Sequence, residues 1–198
     1  MPQPERDDHV LNLFRSTGAY LTGHFRLTSG LHSPEYLQCA LVLQHPKHAE
    51  RLGQELAAAL AAITGPQPVN LVASPAIGGL IIGHEVARAL GTRFIFAERE
   101  AGNMTLRRGF EVKPGEAAVV VEDVITTGGS TAEVIEVLRS RGARVLAAGS
   151  IIDRSGGTVD LGVRHVALET LTVTSHAPER CPLCAQSIPV AKPGSRPT

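Results

Sequence analysis

A doubly wound α/β domain on a mainly parallel sheet is the fold class that the sequence predicts. Short apolar runs alternate with stretches of helical periodicity, the signature of a parallel sheet covered on both faces. A length of 198 residues with 43% hydrophobic content is enough for one good core. No internal repeat and no long linker divides the chain.

The elements follow in order. Residues 5–17 predict a short amphipathic helix with Val10, Leu13 and Phe14 on one face. "HFRLTSG" and "SPEYLQ" predict two short extended segments around a turn at Gly30. From Pro46 the spacing of Leu52, Leu56, Ala59, Leu60 and Ile63 predicts a helix. "VNLVAS" predicts a buried strand, "GGLIIGHEVARAL" a helix and "RFIFAERE" a second strand. A polar stretch at 100–109 precedes the strand "AAVVVED". A helix from Ser130 to about Arg141 and the strand "RVLAAGSIID" complete the core, and "AKPGSRPT" is expected to fray.

Composition narrows the functions. Lys+Arg and Asp+Glu are equal at 19 each, so no global field favours a nucleic acid or a membrane surface. No apolar run approaches the ~20 residues of a membrane span. Three cysteines, Cys39, Cys181 and Cys184, are too few for a disulfide framework and suit a reducing, cytoplasmic setting.

The chemistry concentrates in "VVVEDVITTGGSTAEVI", where the most apolar run ends in two acids and a polar glycine turn. Ser130 with Glu133 matches a capping box, and Val134, Val137 and Leu138 give the following helix an apolar stripe. The loop Thr126–Gly129 then delivers backbone N–H groups and a positive helix end to one small volume, which suits an anion. Glu122 and Asp123 cannot serve that same anion and call for hydroxyls or a cation. A ribose 5-phosphate satisfies both halves. The spacing of a P-loop and of a dinucleotide fingerprint is absent.

"VVVEDVITTGGST" resembles the ribose-phosphate motif of the type I phosphoribosyltransferases. "GHFRLTSGLHSPEYLQ" and "SIIDRSGG" are similar to the substrate hood and to the segment after the last core strand in the orotate phosphoribosyltransferase family. The resemblance spans roughly residues 10–160 and implies one domain with a hood at about 18–45, a core at about 46–160 and a C-terminal extension at 161–198. The activity implied is transfer of ribose 5-phosphate from phosphoribosyl pyrophosphate to N1 of orotate, releasing pyrophosphate.

The resemblance also implies roles. Glu122 and Asp123 hold the ribose hydroxyls, while Val124, Ile125, Thr126, Thr127, Gly128, Gly129 and Ser130 form the phosphoribosyl pyrophosphate cradle. Ser74, Pro75, Ala76, Ile77, Gly78 and Gly79 stand at the family's pyrophosphate loop. Arg154 grips orotate, Thr126 reaches the base, and Tyr36, in a segment from Ser29 that covers the base, is a candidate for stacking. Mg²⁺ arrives on the substrate with no direct protein ligand. A homodimer is implied, with the lid at 100–109 shared across its interface.

The chain departs from the family's pattern in the lid, which reads "EREAGNMTLRRGF". Arg99 matches, Glu100 stands where a lysine is expected, and Thr28 and Ile77 replace lysines of the hood and pyrophosphate loops. Arg99, Arg107 and Arg108 are the candidate catalytic cations beside Asp123. Two other readings stay open: a transferase for another base, and a non-catalytic nucleotide sensor. His24, His32, His45, His48, His84, His165 and His176 share no metal spacing and are expected to be structural or solvated. "CPLC" suits half of a zinc site, with only His176 or Cys39 in view as partners, so Cys181 and Cys184 are expected to be two reduced thiols.

Overall fold

The computed structural model describes residues 9–27 and 30–192. Residues 5–8 of the expected first helix, Thr28 and Ser29 of the hood, and 193–198 of the expected frayed tail lie outside them. The chain forms two compact units, one of Met1–Val42 with Thr172–Thr198, the other of Leu43–Leu171.

In the first unit, helix α1 (His9–Ser16) buries Val10, Leu11 and Phe14. The face is thus turned slightly from the expected one, with Leu13 half-buried. Strands β1 (Tyr20–Arg26) and β2 (His32–Leu37) pair antiparallel, from Tyr20 opposite Leu37 to Arg26 opposite His32. Their turn closes through Leu27 N–H to Leu31 C=O at 2.8 Å, with Gly30 at φ +84°. The C-terminal segment returns to this hairpin: Phe25 bridges Ala191, and His32 bridges His176. Helix α2 (Cys39–Leu43), unforeseen in the sequence, leads out of the hairpin.

The second unit holds the rest of the expected elements. Helix α3 (Pro46–Thr64) starts with proline in its first turn, where the missing N–H has no intrahelical partner to lose. Then come β3 (Leu71–Pro75), α4 (Gly79–Leu90), β4 (Arg93–Glu100), β5 (Asn103–Leu106), β6 (Ala117–Ile125), α5 (Gly129–Ser140), β7 (Arg144–Asp153) and β8 (Arg164–Thr170). A last short helix, α6 (Pro182–Ala185), belongs to the first unit. The sheet runs β5-β4-β3-β6-β7-β8, all parallel except the edge strand β5. The expected doubly wound, mainly parallel class is the observed one.

Side-chain alternation along the strands separates two cores. Leu71, Ala73, Ile95, Ala97, Ala118 and Val120 pack with Val134, Ile135 and Leu138 of α5. On the other side α3 lies against β7 and β8, and α4 against β3 and β6. Gly149 lets α3 close on the sheet, since a Cβ there would stand 3.1 Å from Leu56 and Leu60. β6 is flanked on both sides, and Ala117–Glu122 are all buried. A strand so placed must read as an apolar run, and this one does.

Helices α3 and α4 touch backbone to side chain at Gly53. A Cβ there would meet Glu85 Cβ at 2.5 Å and its carbonyl carbon at 2.9 Å. Gly53→Ala is therefore expected to force the helices apart at an overpacking cost of about 1–3 kcal/mol. At roughly 2–4 °C per kcal/mol for a chain of this size, the melting midpoint should fall by several degrees. An unchanged midpoint would show that the two helices separate freely.

Candidate active site

The site is built where β6 runs out of core. Ile125 is the last buried residue before Thr126 and Thr127, both exposed, and α5 begins at Gly129. The chain turns through Gly128 in the left-handed region, φ +77°, with no side-chain cap. The capping box expected from Ser130 and Glu133 does not form. The helix starts one residue earlier, and Glu133 is drawn instead to Arg99, 2.7 Å away. Without that box the first-turn N–H groups stay available to an anion.

A cavity of about 80 Å³ lies at this turn, lined by Glu122, Val124, Ile125 and the run from Thr126 to Thr131. Its floor is fixed from behind. A Cβ on Gly128 would stand 2.6 Å from Val159 and 2.7 Å from Leu161. Gly128 is thus required by the packing beneath the loop as well as by its φ, and bulk added there meets those side chains. Gly129 is different: a Cβ there would meet only Thr127 Oγ1, at 3.8 Å.

The acid pair is electrostatically costly. Glu122 is buried, and burial together with the neighbouring Asp123 holds its carboxyl well above the usual range. Asp123 is also raised by burial, although hydrogen bonds from Glu122 and from its own side of the backbone pull it back. Val124 N–H donates to Asp123 Oδ1 at 2.8 Å. Both carboxyls therefore resist ionisation, Glu122 the more strongly. Sugar hydroxyls or a cation supply what the pair lacks.

The neighbouring loop faces the same acids. Ser74 and Pro75 end β3, and Ala76 N–H donates to Ala97 C=O at 2.8 Å. A Cβ on Gly78 would lie 2.6 Å from Asp123 Oδ1, so only glycine lets the loop come this near the carboxylate. Gly79 is equally tight, 2.8 Å from Ser74 Cβ and 3.0 Å from the Val121 carbonyl. Ile77 is 82% exposed, projecting an apolar side chain from the loop. The residues expected at the pyrophosphate loop, Ser74 to Gly79, and the acids expected to hold the ribose, Glu122 and Asp123, are therefore brought together.

Arg154 is half-buried beside the cradle, its N–H donating to Ile125 C=O at 2.8 Å. Buried Asp153 shapes the turn that follows, accepting from Ser155 N–H at 2.7 Å and Gly157 N–H at 3.1 Å. Tyr36 lies in β2 of the first unit, its ring 5.9 Å from that of Phe25. The polar stretch expected as a lid folds as a hairpin, with β5 paired to β4 and the turn at Ala101 and Gly102. Its arginines meet acids: Arg108 binds Glu98 at 2.8 Å, Arg107 lies 3.5 Å from Glu100, and Arg99 donates to Gly102 C=O at 2.9 Å as well as meeting Glu133. Sequence reasoning missed Val159 and Leu161 as the support of Gly128. An apolar pair more than 30 residues on carries no local signal of that role.

Sheet, acid pair, open helix start and glycine loop define a phosphoribosyltransferase domain, and the phosphoribosyl transferase domain family matches residues 42–176. The chain is 59% identical over 189 residues to an orotate phosphoribosyltransferase of Pelotomaculum thermopropionicum, covering 96% of this chain and 97% of that one. It is 53% identical over 187 residues to the orotate phosphoribosyltransferase of Carboxydothermus hydrogenoformans, covering 94% and 97%. The crystal structure of orotate phosphoribosyltransferase from Aeropyrum pernix superposes with a TM-score of 0.64 at 30% identity, covering 82% of this chain and 93% of that one. The chain belongs to the orotate phosphoribosyltransferase family.

The raised Glu122 carboxyl predicts a pH-dependent affinity. If ribose hydroxyls donate to an ionised Glu122, binding expels the proton that this carboxyl holds above its ordinary value of 4.5. Stability linked to that proton is present below this value and is lost as pH rises through the raised one. Ligand affinity runs the other way. In calorimetry, ribose 5-phosphate should bind more tightly as pH rises from about 5 to about 8, with proton release, and Glu122→Gln should show a smaller slope. Equal slopes in both proteins would leave the sugar's own phosphate as the titrating group.

Proposed function

We propose that this protein transfers ribose 5-phosphate from phosphoribosyl pyrophosphate to N1 of orotate, giving orotidine 5'-monophosphate and pyrophosphate in UMP biosynthesis. The observation that carries the reading is the acid pair held between an uncapped helix start and a glycine loop. Each part matches one part of the donor. First-turn N–H groups of α5 take the 5-phosphate, Glu122 and Asp123 take the ribose hydroxyls, and the loop from Ser74 to Gly79 takes the pyrophosphate.

In the reaction the bond from the anomeric carbon to pyrophosphate oxygen breaks, and the leaving group departs with the electron pair. Positive charge builds on the ring oxygen and anomeric carbon, and the acid pair lies beside it. The N1 electron pair of orotate then forms the new C–N bond, and the N1 proton passes to the departing pyrophosphate. Holding the two reactants in line supplies much of the rate, because the carbon is reached from opposite sides. Arg154 suits orotate's planar carboxylate with a planar guanidinium. Mg²⁺ fits here as the donor's own cation, since Asp123 Oδ1 faces the backbone of Gly78, and when bound it would neutralise charge on the leaving pyrophosphate.

Arg99, Arg107 and Arg108 are the cations proposed to stand in for the family's lid lysines. Their partners Glu133, Glu100 and Glu98 hold them in exposed ion pairs, which are weak and readily exchanged for an anionic substrate. A homodimer that shares this hairpin across its interface completes the proposal. A cytoplasmic location agrees with three cysteines that are all free. Among the described residues no helix is long and apolar enough to cross a membrane.

Purified protein given phosphoribosyl pyrophosphate and Mg²⁺ should consume orotate and ignore adenine, guanine and xanthine. Equal or better use of a purine would overturn the substrate assignment. Absence of turnover with intact sugar-phosphate binding would favour a sensor.

Shared catalysis is tested by mixing an Arg107→Ala/Arg108→Ala variant with Asp123→Asn. Each alone should be nearly inactive, and random exchange should restore up to about a quarter of native activity per subunit, because half of the dimers then carry one intact site. Two crippled parents with no recovery after verified exchange would assign each hairpin to its own subunit's site.

A further inference from the structure

Away from the sugar-phosphate site, four soft ligands converge within the first unit. His24, His32, Cys181 and Cys184 each offer a ligand atom, and all four atoms lie within 4.8 Å of one another. His24 Nε2 is 2.8 Å from His32 Nδ1, 3.5 Å from Cys181 Sγ and 3.7 Å from Cys184 Sγ, while Cys184 Sγ is 3.3 Å from His32 Nδ1. Tetrahedral zinc with two nitrogens and two sulfurs requires separations of about 3.3 Å between nitrogens and about 3.6 Å between nitrogen and sulfur. The three nitrogen–sulfur separations lie within about 0.3 Å of that arrangement, and the two nitrogens stand about half an ångström closer than it requires. We propose that His24, His32, Cys181 and Cys184 bind one structural zinc ion.

The surroundings suit a metal. His24 Nδ1 lies 2.7 Å from the Ile188 carbonyl. A proton on that nitrogen donates to the carbonyl and leaves the Nε2 lone pair facing the cluster, an orienting bond that zinc histidines commonly make. His24, His32 and Cys181 are buried while Cys184 is exposed, so the site has a closed interior and a route of entry. Two thiolates balance the two charges of zinc, which lets a neutral centre occupy a buried position. Binding would release the two thiol protons.

Zinc would explain why the C-terminal segment returns to the hairpin. Cys181 and Cys184 flank the start and body of α6, and the chain beyond them pairs by Ala191 N–H to His24 C=O at 2.7 Å and Arg26 N–H to Ala191 C=O at 2.8 Å. The partners expected from sequence are not the ligands. His176 meets His32 through paired backbone hydrogen bonds of 2.8 Å, and Cys39 is buried outside the cluster. All four positions are filled by protein, so the ion has no open site for substrate.

The test uses the full chain, purified with reduced thiols, and reads metal content and spectra rather than turnover, so its outcome is independent of the proposed reaction. Elemental analysis after washing with a mild chelator should find about one zinc per chain, retained in Cys39→Ala and lost in Cys181→Ser and in Cys184→Ser. Stripping the ion with a strong chelator should lower the melting midpoint, and zinc alone should restore it. Because a variant can fail to fold, the unaltered apoprotein is also titrated with Co²⁺. Saturation near one equivalent, with tetrahedral ligand-field bands and sulfur charge-transfer absorption, supports the site. Folded, reduced protein that takes up neither zinc nor cobalt overturns it, and so does zinc that survives loss of both Cys181 and Cys184.

Discussion

Everything at the candidate active site depends on holding two neighbouring carboxyls, buried Glu122 and half-buried Asp123, at the end of β6. Desolvation opposes the charge of both Glu122 and Asp123, and the charge of Asp123 opposes that of Glu122 further. Such a pair persists because the strand behind it is anchored on both sides of the sheet and cannot slide outward. β6 joins β3 on one side and β7 on the other, so its core sets the position of its charged end. Hydroxyl groups that donate to the pair, or a bound cation, relieve the imbalance. Hydroxyls or a cation bound there would therefore remove an unfavourable interaction that the free protein carries.

The helix start beside the acids works by omission. A serine or aspartate cap would satisfy the first N–H groups and fill the space a phosphate needs. Gly128 turns the chain without offering a side chain, and Val159 and Leu161 press on it from below. Glu133, whose position invites a bond back to the helix start, is held by Arg99 instead. The hairpin that carries Arg99 thus has a second effect, since it keeps a carboxylate turned away from the anion cradle.

Periodicity made most of the second unit legible. The strands "RFIFAERE" and "RVLAAGSIID" have the observed bounds of β4 and β7, and the helix at α3 starts at the proline that the sequence marks. The glycine loops were legible because their residue types are those that anion binding requires. β5 was hidden, being four residues long at a polar sheet edge. β8 was hidden too, because its residues are half-buried or exposed throughout and present no apolar run. Least legible was the histidine and cysteine cluster. Spacing along the chain identifies only the two cysteines, whereas the histidines are placed beside them by the hairpin and by the returning C-terminal segment.

That returning segment bears on the order in which the protein can be completed during synthesis. The second unit is one uninterrupted stretch, Leu43–Leu171, and can close as soon as that stretch has left the ribosome. The first unit cannot. Its hairpin is made early, but Ala191, which bridges Phe25, and the cysteines that meet His24 are translated only after the whole second unit. Until then the nascent chain carries an unfinished sheet edge and two imidazoles without their cysteines, to be joined only across a loop of about 150 residues. The N-terminal hairpin therefore reaches its final form only after the second unit has been made.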